Sequence, residues 1–175
     1  MDHYRVVLQK ENVLKKVVIF GNSGSGKSTL AKELSELFGV AHLDLDTLAW
    51  SAAALPERRA IEESKREIDE FIASNEYWVI EGCYADLLAF VVPVSNELIF
   101  LDLPVEQCVL NARNRPWEPH KYESKEAQDA NLEMLVNWIA DYPTRNDAFS
   151  RSAHKKLFDE YAGKKARYVS NARLE

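Results

Sequence analysis

The chain has 175 residues, 46% of them hydrophobic, and a formal net charge of -6. This length predicts one domain with a core of its own and is short for an oligomeric motor with accessory modules. No apolar run approaches the length that spans a bilayer and no signal-peptide pattern begins the chain, so we expect a cytoplasmic protein without membrane contact.

Charge and cysteine content argue against two further classes of site. Residues 145–175 hold eight Lys or Arg against four Asp or Glu, so this segment carries +4 and the rest of the chain -10. The acidic main body disfavours general nucleic-acid binding, although the basic tail keeps a weak form of that idea open. Cys83 and Cys108 are too few and too scattered for a disulfide framework or a zinc site, and we expect both to be reduced.

Apolar runs alternate with helical patterns along the chain, which is typical of a parallel α/β sheet. Residues 1–14 show no clean period and are interpreted as an N-terminal extension, and residues 15–175 as a single domain. The predicted strands cover residues 15–20, 40–45, 77–81, 97–103 and 166–170. The predicted helices cover residues 27–38, 56–73, 105–114, 125–140 and 147–162.

The first strand is followed by the sequence GNSGSGKST, residues 21–29. A G-x-x-x-x-G-K-[ST] pattern between a strand and a helix is the context of a phosphate-binding loop, in which backbone N–H groups and the helix N-terminus face the phosphates. Lys27 is expected to reach the β- and γ-phosphates, and Ser28 to bind Mg²⁺. The predicted ATP-binding residues are Gly21, Asn22, Ser23, Gly24, Ser25, Gly26, Lys27, Ser28 and Thr29. The alternative is a glycine-rich turn that binds nothing.

The sequence HLDLDTLAW, residues 42–50, lies at the C-terminal end of the second predicted strand, where open α/β sheets bind ligands. Asp44 and Asp46 are two residues apart, so on an extended strand end they would point the same way. One carboxylate could then hold metal-bound waters while the other accepts a proton from an attacking hydroxyl. Alternatively, one Asp caps the following helix and the other is solvated.

The phosphate loop, this D-L-D, WVIEG at residues 78–82 and IFLDLP at residues 99–104 resemble the small P-loop kinases of the adenylate kinase and shikimate kinase type. The resemblance extends to the adenylate-kinase-related, topology modulation protein-like bacterial group and covers roughly residues 15–170. It implies a three-layer α/β/α P-loop NTPase fold with a five-stranded parallel sheet of order 2-3-1-4-5. It also implies ATP and Mg²⁺ as cofactors, a substrate-binding helix after the second strand and a lid at about residues 113–124.

The resemblance assigns roles to the acidic residues. Asp44 corresponds to a carboxylate that holds magnesium waters, and Asp46 to the one that orients or deprotonates the acceptor hydroxyl. Glu81, at the end of the third strand, corresponds to the outer-shell carboxylate for magnesium. Asp102 is a rival to Glu81 but ranks lower, because the sequence DLP is more often a structural corner in these kinases.

Arginines of the lid clamp the transferring phosphates in this family. Arg113 and Arg115 lie near the end of the helix that leads into the lid, and Arg145 and Arg151 lie where a second lid arginine would fall. The resemblance therefore predicts catalytic roles for Arg113 and Arg115 and substrate contacts for Arg145 and Arg151. Each of the four could instead be a solvated surface arginine.

The acceptor site departs from that of adenylate kinases. Ala85 stands where those enzymes carry the arginine that grips the AMP phosphate, so an AMP-type acceptor loses its main clamp. Arg58 and Arg59 lie where shikimate-type kinases carry an arginine for the substrate carboxylate. With Gly82 and Tyr84 at the end of the third strand, these residues predict a small anionic or polyhydroxylated acceptor.

Two residues near the C-terminus are predicted to contact the adenine. YAGKKARYVS resembles the loop before the last strand that wraps the adenine, so Gly163 and Lys164 are expected to contact the base.

Two alternative functions remain, a nucleoside monophosphate kinase and an ATP-binding regulatory module. No N-K-x-D element for a guanine-binding GTPase is present. The expected partner is a small-molecule acceptor, nucleic acid is unlikely, and either a monomer or a homodimer is expected.

Overall fold

A single five-stranded parallel sheet organises the chain, with its strands in the order β2-β3-β1-β4-β5. The computed structural model describes residues 15–52 and 56–172, so the predicted extension 1–14 lies outside the described residues. The strands are β1 (Lys16–Gly21), β2 (Ala41–Asp44), β3 (Trp78–Gly82), β4 (Glu97–Leu101) and β5 (Lys164–Tyr168). The predicted strand order 2-3-1-4-5 is confirmed.

Helices connect the strands and lie on both faces of the sheet. They are α1 (Lys27–Phe38), α2 (Asp46–Ala49), α3 (Ile61–Ser74), α4 (Ala85–Val91), α5 (Val105–Arg113), α6 (Lys125–Ala140) and α7 (Arg151–Glu160), with a 3₁₀ turn at Val92–Val94. The bounds of α1 and α6 agree with the prediction. Helix α6 starts where it does because the side chain of Ser124 accepts a hydrogen bond from the Ala127 N–H, which satisfies a free donor of the first turn.

Alternate residues of each strand face opposite layers, so the two apolar clusters lie on opposite sides of the sheet. Val18 and Phe20 of β1 belong to the cluster that includes Ile68 of α3. Val17 and Ile19 belong to the other cluster, which α1, α5 and α6 cover. Strands buried on both faces read as continuous apolar runs, which is why KKVVIF and ELIFL were recognisable in the sequence. The three-layer architecture is therefore confirmed.

The helix bounds differ from the prediction where tertiary contacts compete with the helical pattern. The predicted helix 56–73 begins at Ile61, because Arg58 pairs in an antiparallel bridge with Trp50 and the Arg59 N–H donates to the Ala49 carbonyl at 3.0 Å. The predicted helix 147–162 is shorter, since Ser150 caps α7. Helices α2 and α4 were not predicted, because four and seven residues are too short to show a clear period.

The C-terminal ends of the strands lie at one edge of the sheet. Gly21 pairs with Leu101, and Asp44 pairs with Glu81. The phosphate loop and the acidic residues therefore share this edge. Lys164 lies at the opposite edge, since it begins β5 and pairs with Glu97 at the start of β4.

In the described part of the chain, no helix combines the length and apolar character that crossing a membrane requires.

His154 of α7 is buried in the core beside the phenyl rings of Phe20 and Phe100. Its Nε2 lies 2.7 Å from the carbonyl oxygen of Cys83, and its Nδ1 lies 2.7 Å from the Tyr142 hydroxyl. A carbonyl only accepts, so Nε2 carries the proton and Nδ1 accepts from Tyr142. Burial lowers the pKa of His154 from 6.5 to about 4, so the ring is neutral at physiological pH.

We expect this histidine to make the fold acid-labile between pH 6.5 and pH 4. The unfolded chain gains a proton as the pH falls through 6.5, whereas the folded chain does not until about pH 4, so the free energy of unfolding falls across this window. The expected loss is about 3 kcal/mol at most.

Chemical denaturation at a series of pH values, in the wild type and in His154→Gln, would measure this term. The Gln variant has no titrating group here, so the difference in unfolding free energy between the two proteins should change between pH 6.5 and pH 4. A difference that stays constant across this window would contradict the prediction, whatever the absolute stability of the variant.

Candidate active site

The phosphate loop connects β1 to α1 through glycines with left-handed backbone angles. Gly24 and Gly26 adopt φ angles of 77° and 90°, which L side chains rarely adopt. No side chain caps the first turn of α1, so its N–H groups are available to an anion. The Ser25 hydroxyl is buried without a hydrogen-bond partner, and Lys27 Nζ donates to the Asn22 carbonyl at 2.7 Å. These features fit a bound phosphate.

Two asparagines brace the loop from outside. Asn111 of α5 donates to the Gly24 carbonyl at 2.8 Å and to the side chain of Asn171 at 2.9 Å. Asn171 donates in turn to the Ser25 carbonyl at 3.0 Å, and a Cβ on Gly26 would lie 2.9 Å from its amide nitrogen. Neither asparagine was predicted from the sequence, because neither lies in a motif that distinguishes it from other asparagines.

The position of Asn171 corrects the predicted base contacts. The chain reaches the phosphate loop after β5, whereas Gly163 and Lys164 precede or begin that strand. A strand of five residues spans about 16 Å, so these two residues lie far from the loop, at the other edge of the sheet. The segment after β5 is the one placed to contact a bound nucleotide.

The predicted metal-binding residues are Ser28, Asp44 and Glu81, and two of them, Ser28 and Glu81, are bonded to each other. The Ser28 hydroxyl donates to Glu81 Oε1 at 2.8 Å, and Glu81 is only 1% exposed. His42 Nε2 lies 3.6 Å from the same oxygen. Within residues 15–52 and 56–172, no group of three or more His, Cys, Asp or Glu is arranged to hold an ion. Mg²⁺ suits such a site, because it takes one or two protein ligands together with nucleotide phosphates and water.

Asp102, the rival of Glu81, already has partners. Arg151 donates to its two carboxylate oxygens at 2.9 and 2.8 Å, and Arg167 donates to it at 2.8 and 2.6 Å. Burial alone would raise the pKa of Asp102, but the hydrogen bonds from Arg151 and Arg167 lower it. The two guanidinium groups compensate this carboxylate, which leaves Glu81 as the better metal candidate.

The two aspartates of the D-L-D do not share an extended strand, which corrects the prediction. Asp44 ends β2, whereas Asp46 begins α2, because Leu45 between them has helical angles. The Asp46 N–H donates to Asp44 Oδ1 at 2.9 Å, so one aspartate does cap the following turn. The carboxylates nevertheless converge on one cation. Lys121 Nζ lies 3.0 Å from Asp46 Oδ2 and 3.7 Å from Asp44 Oδ2.

Lys121 was not singled out in the sequence. Its ammonium also lies 3.6 Å from Glu118 Oε1, so three carboxylates surround it. Burial opposes its charge, but Asp46 and Asp44 raise the pKa of Lys121 above its usual value. The available signal was that this residue is the one lysine of the predicted lid, residues 113–124.

Asp46 and Asp44 have different electrostatic environments. The Tyr84 hydroxyl donates to Asp46 Oδ1 at 2.5 Å and accepts from the Trp50 indole at 2.7 Å. Burial alone would raise the pKa of Asp46, but Lys121 and Tyr84 lower it. Burial, followed by the charges of Glu81 and Asp46, raises the pKa of Asp44 to about 7. Asp46 is therefore the carboxylate that stays ionised.

Two of the four predicted substrate arginines meet around one aromatic ring. The guanidinium of Arg58 lies 4.9 Å from the ring centre of Tyr84 and 5.3 Å from that of Phe149. Arg145 lies 3.6 Å from the ring centre of Trp138 and also 5.3 Å from Phe149. Aromatic faces stabilise guanidinium groups and fix their position.

One N–H group of the Arg58 guanidinium has no hydrogen-bond partner. Its terminal nitrogen pairs with Asp86 at 3.2 Å, whereas its Nε is buried without a hydrogen-bond partner. Arg59, in contrast, turns away to Glu67 at 2.7 Å and to the Leu48 carbonyl at 3.1 Å, and Arg151 belongs to the Asp102 cluster. The structure therefore unites Arg58 with Arg145, but not with Arg59 or Arg151.

The predicted lid arginines bond to acidic residues. Arg113 donates to Glu133 of α6 at 2.9 Å, and Arg115 donates to Glu118 at 3.3 Å. Gly82, predicted as a substrate contact, ends β3, where a Cβ would lie 2.9 Å from Leu45 Cβ, so close packing also requires glycine there. Lys121 is the lid residue whose ammonium lies beside Asp44 and Asp46.

Residues 17–131 match the protein family described as an AAA domain. The uncharacterized protein YqaC of Bacillus subtilis (strain 168) is 27% identical over 147 residues, which cover 81% of this chain and 80% of YqaC. The solved structure of a shikimate kinase from Acinetobacter baumannii in complex with shikimate aligns with a TM-score of 0.41 and 19% identity over 85% of this chain and 94% of that chain.

The family match contains the phosphate loop, the D-L-D and the WVIEG segment, and it spans more than half of the chain. Together with the strand order, it confirms the resemblance to small P-loop kinases that the sequence indicated. The protein belongs to the AAA domain family and has a P-loop fold with a five-stranded parallel sheet.

Proposed function

We propose that this protein is an ATP- and Mg²⁺-dependent kinase that transfers the γ-phosphoryl group to a hydroxyl of a small anionic acceptor. The observation that carries the proposal is the separation of two carboxylates. Glu81 is bonded to Ser28 of the phosphate loop, whereas Asp46 is held ionised by Tyr84 and Lys121. A site that only bound ATP would need no second carboxylate arranged in this way.

The phosphate loop would hold the nucleotide through its backbone donors, with Lys27 at the β- and γ-phosphates. A Mg²⁺ ion held by Ser28 and by water on Glu81 would neutralise charge on the phosphate oxygens. Asp46 would accept the proton of the acceptor hydroxyl, since an ionised carboxylate within reach of the reacting oxygen is a suitable general base.

Arg58 supports the anionic class of acceptor. The unpaired Nε of Arg58 is a buried donor, and a carboxylate or phosphate on the acceptor would satisfy it. Ala85 begins α4 and has no side chain that could grip the phosphate of a nucleoside monophosphate. These contacts favour a hydroxy acid over a nucleotide.

We expect ADP release to rise when a small hydroxy acid is added to the protein with Mg-ATP. A panel of shikimate, gluconate and related hydroxy acids, beside AMP, CMP, UMP and GMP, measures this directly. A nucleoside monophosphate that is the best acceptor by a wide margin would overturn the hydroxy-acid assignment. A response to a macromolecule alone would favour an ATP-binding regulatory module.

The Arg58→Gln variant tests the acceptor side of the site. It should raise KM for the best hydroxy acid more than it lowers kcat, because Arg58 would contact the acceptor equally in the bound complex and in the transition state. Arg66→Gln, an exposed arginine of α3, is the matched control and should leave both constants unchanged. Equal effects of the two substitutions would show that Arg58 does not contact the acceptor.

A further inference from the structure

The ammonium of Lys121 occupies the acidic end of the site in a position that the fold holds firmly. It lies 3.0 Å from Asp46 Oδ2, and its side chain is only 21% exposed. Its other neighbours are Asp44 at 3.7 Å and Glu118 at 3.6 Å. The contact between Lys121 and Asp46 joins residues 75 positions apart in the chain.

The lid around Lys121 is braced against α6. Gln128 accepts from the Glu118 N–H at 2.8 Å and donates to the Pro116 carbonyl at 3.1 Å. The Lys121 N–H donates to the Glu118 carbonyl at 2.9 Å, and Asn131 donates to the Tyr122 hydroxyl at 2.8 Å. Since this turn is anchored at both ends, the lysine is directed at Asp46 by the backbone that carries it.

Both oxygens of Asp46 are therefore engaged. Tyr84 donates to Oδ1 and Lys121 to Oδ2. A general base must turn an unshared electron pair toward the hydroxyl that it deprotonates, within about 3 Å. The indole of Trp50 donates to the Tyr84 hydroxyl and so fixes the Tyr84 bond to Oδ1. An incoming hydroxyl can therefore replace the Lys121 bond to Oδ2 more easily than the Tyr84 bond.

We propose that Lys121 is a positioning residue that occupies Oδ2 of Asp46 until an acceptor hydroxyl displaces it, and so prevents Asp46 from activating water when ATP is bound alone. This inference rests on the proposed kinase function. In the suppressed side reaction, a water oxygen bonds to the γ-phosphorus, the bond from that phosphorus to the β–γ bridging oxygen breaks, ADP leaves, and Asp46 accepts the proton of the water.

Hydrolysis of Mg-ATP in the absence of any acceptor tests the inference without knowledge of the acceptor. The Lys121→Met variant should hydrolyse Mg-ATP at least about 10-fold faster than the wild type, because it frees Oδ2 of Asp46 while the Tyr84 hydroxyl still stabilises the ionised carboxylate. Lys121→Arg should stay near the wild-type rate, since a guanidinium restores a charged donor to Oδ2. Adding Asp46→Asn to Lys121→Met should abolish the increase, which a merely structural role of Lys121 would not predict.

Lys125→Met is the matched control. Lys125 lies four residues further along, is 64% exposed and pairs with Asp129 on the same helix, so its loss should leave hydrolysis unchanged. Affinity for a fluorescent ATP analogue, measured for every variant, separates binding from chemistry. Lys121→Leu, which also lacks a donor, replaces the Met variant with the same expectation if the latter does not fold.

The outcomes distinguish the two proposals. An unchanged or slower rate of hydrolysis in a folded Lys121 variant that still binds the ATP analogue would overturn the role of Lys121 and leave the kinase proposal intact. A wild-type protein that does not bind Mg-ATP would overturn both.

Discussion

Lys27→Ala is expected to lower acceptor-dependent turnover by about 10²- to 10³-fold, because it removes the cation that meets charge developing on the transferred phosphoryl group. The fold should be retained, since the described structure places Lys27 outside both apolar clusters and bonds its ammonium to the Asn22 carbonyl of the same loop. Steady-state ADP release and circular dichroism would measure the two effects separately.

Lys32→Ala is the control for this substitution. Lys32 is exposed on the same helix, α1, five residues beyond Lys27, and its loss should change neither turnover nor fold. If folded Lys27→Ala retained wild-type turnover, the loop would not be a catalytic phosphate-binding loop, and the proposed reaction would have no basis.

Asp46→Asn should lower kcat by about 10²- to 10⁴-fold while the affinity for ATP is kept, because the amide cannot accept the proton of the acceptor. Glu81→Gln should act differently. It should raise the Mg²⁺ concentration needed for half-maximal activity, since an amide still accepts from Ser28 but is a weaker partner for metal-bound water.

A Mg²⁺ titration of kcat and a nucleotide-binding isotherm for each variant would separate the two roles. Asp129→Asn, an exposed residue of α6 that pairs with Lys125, is the control for loss of a carboxylate and should behave as the wild type. An equal loss of ATP binding in Asp46→Asn and Glu81→Gln would show that Asp46 and Glu81 do not have the separate roles proposed for them.

The structure also explains which parts of the site could be predicted. The phosphate loop is a continuous segment of nine residues whose spacing itself produces its conformation, so its place after β1 followed from the sequence. The resemblance to P-loop kinases placed Glu81 and Asp44 at the ends of neighbouring strands, and Asp44 does pair with Glu81.

Other predicted contacts depend on where a loop lies in the sheet or on which partner a side chain finds. Gly163 and Lys164 were assigned to the base as part of the loop before the last strand, but that loop lies at the edge of the sheet opposite the phosphate loop, where Lys164 pairs with Glu97. Arg58 and Arg59 are adjacent in sequence, yet only Arg58 lies against Tyr84, because Arg59 pairs with Glu63 and Glu67 of α3.

The sequence by itself determined the layered fold and the phosphate loop, because both depend on local patterns: apolar runs that form buried strands, and a fixed spacing of glycines before a helix. Tertiary structure alone decided that Lys121 meets Asp46 and that Arg58 and Arg145 share Phe149. Each pair joins residues from separate elements of the fold. Their distances depend on how the helices and the lid pack, which the spacing of residues along the chain does not indicate.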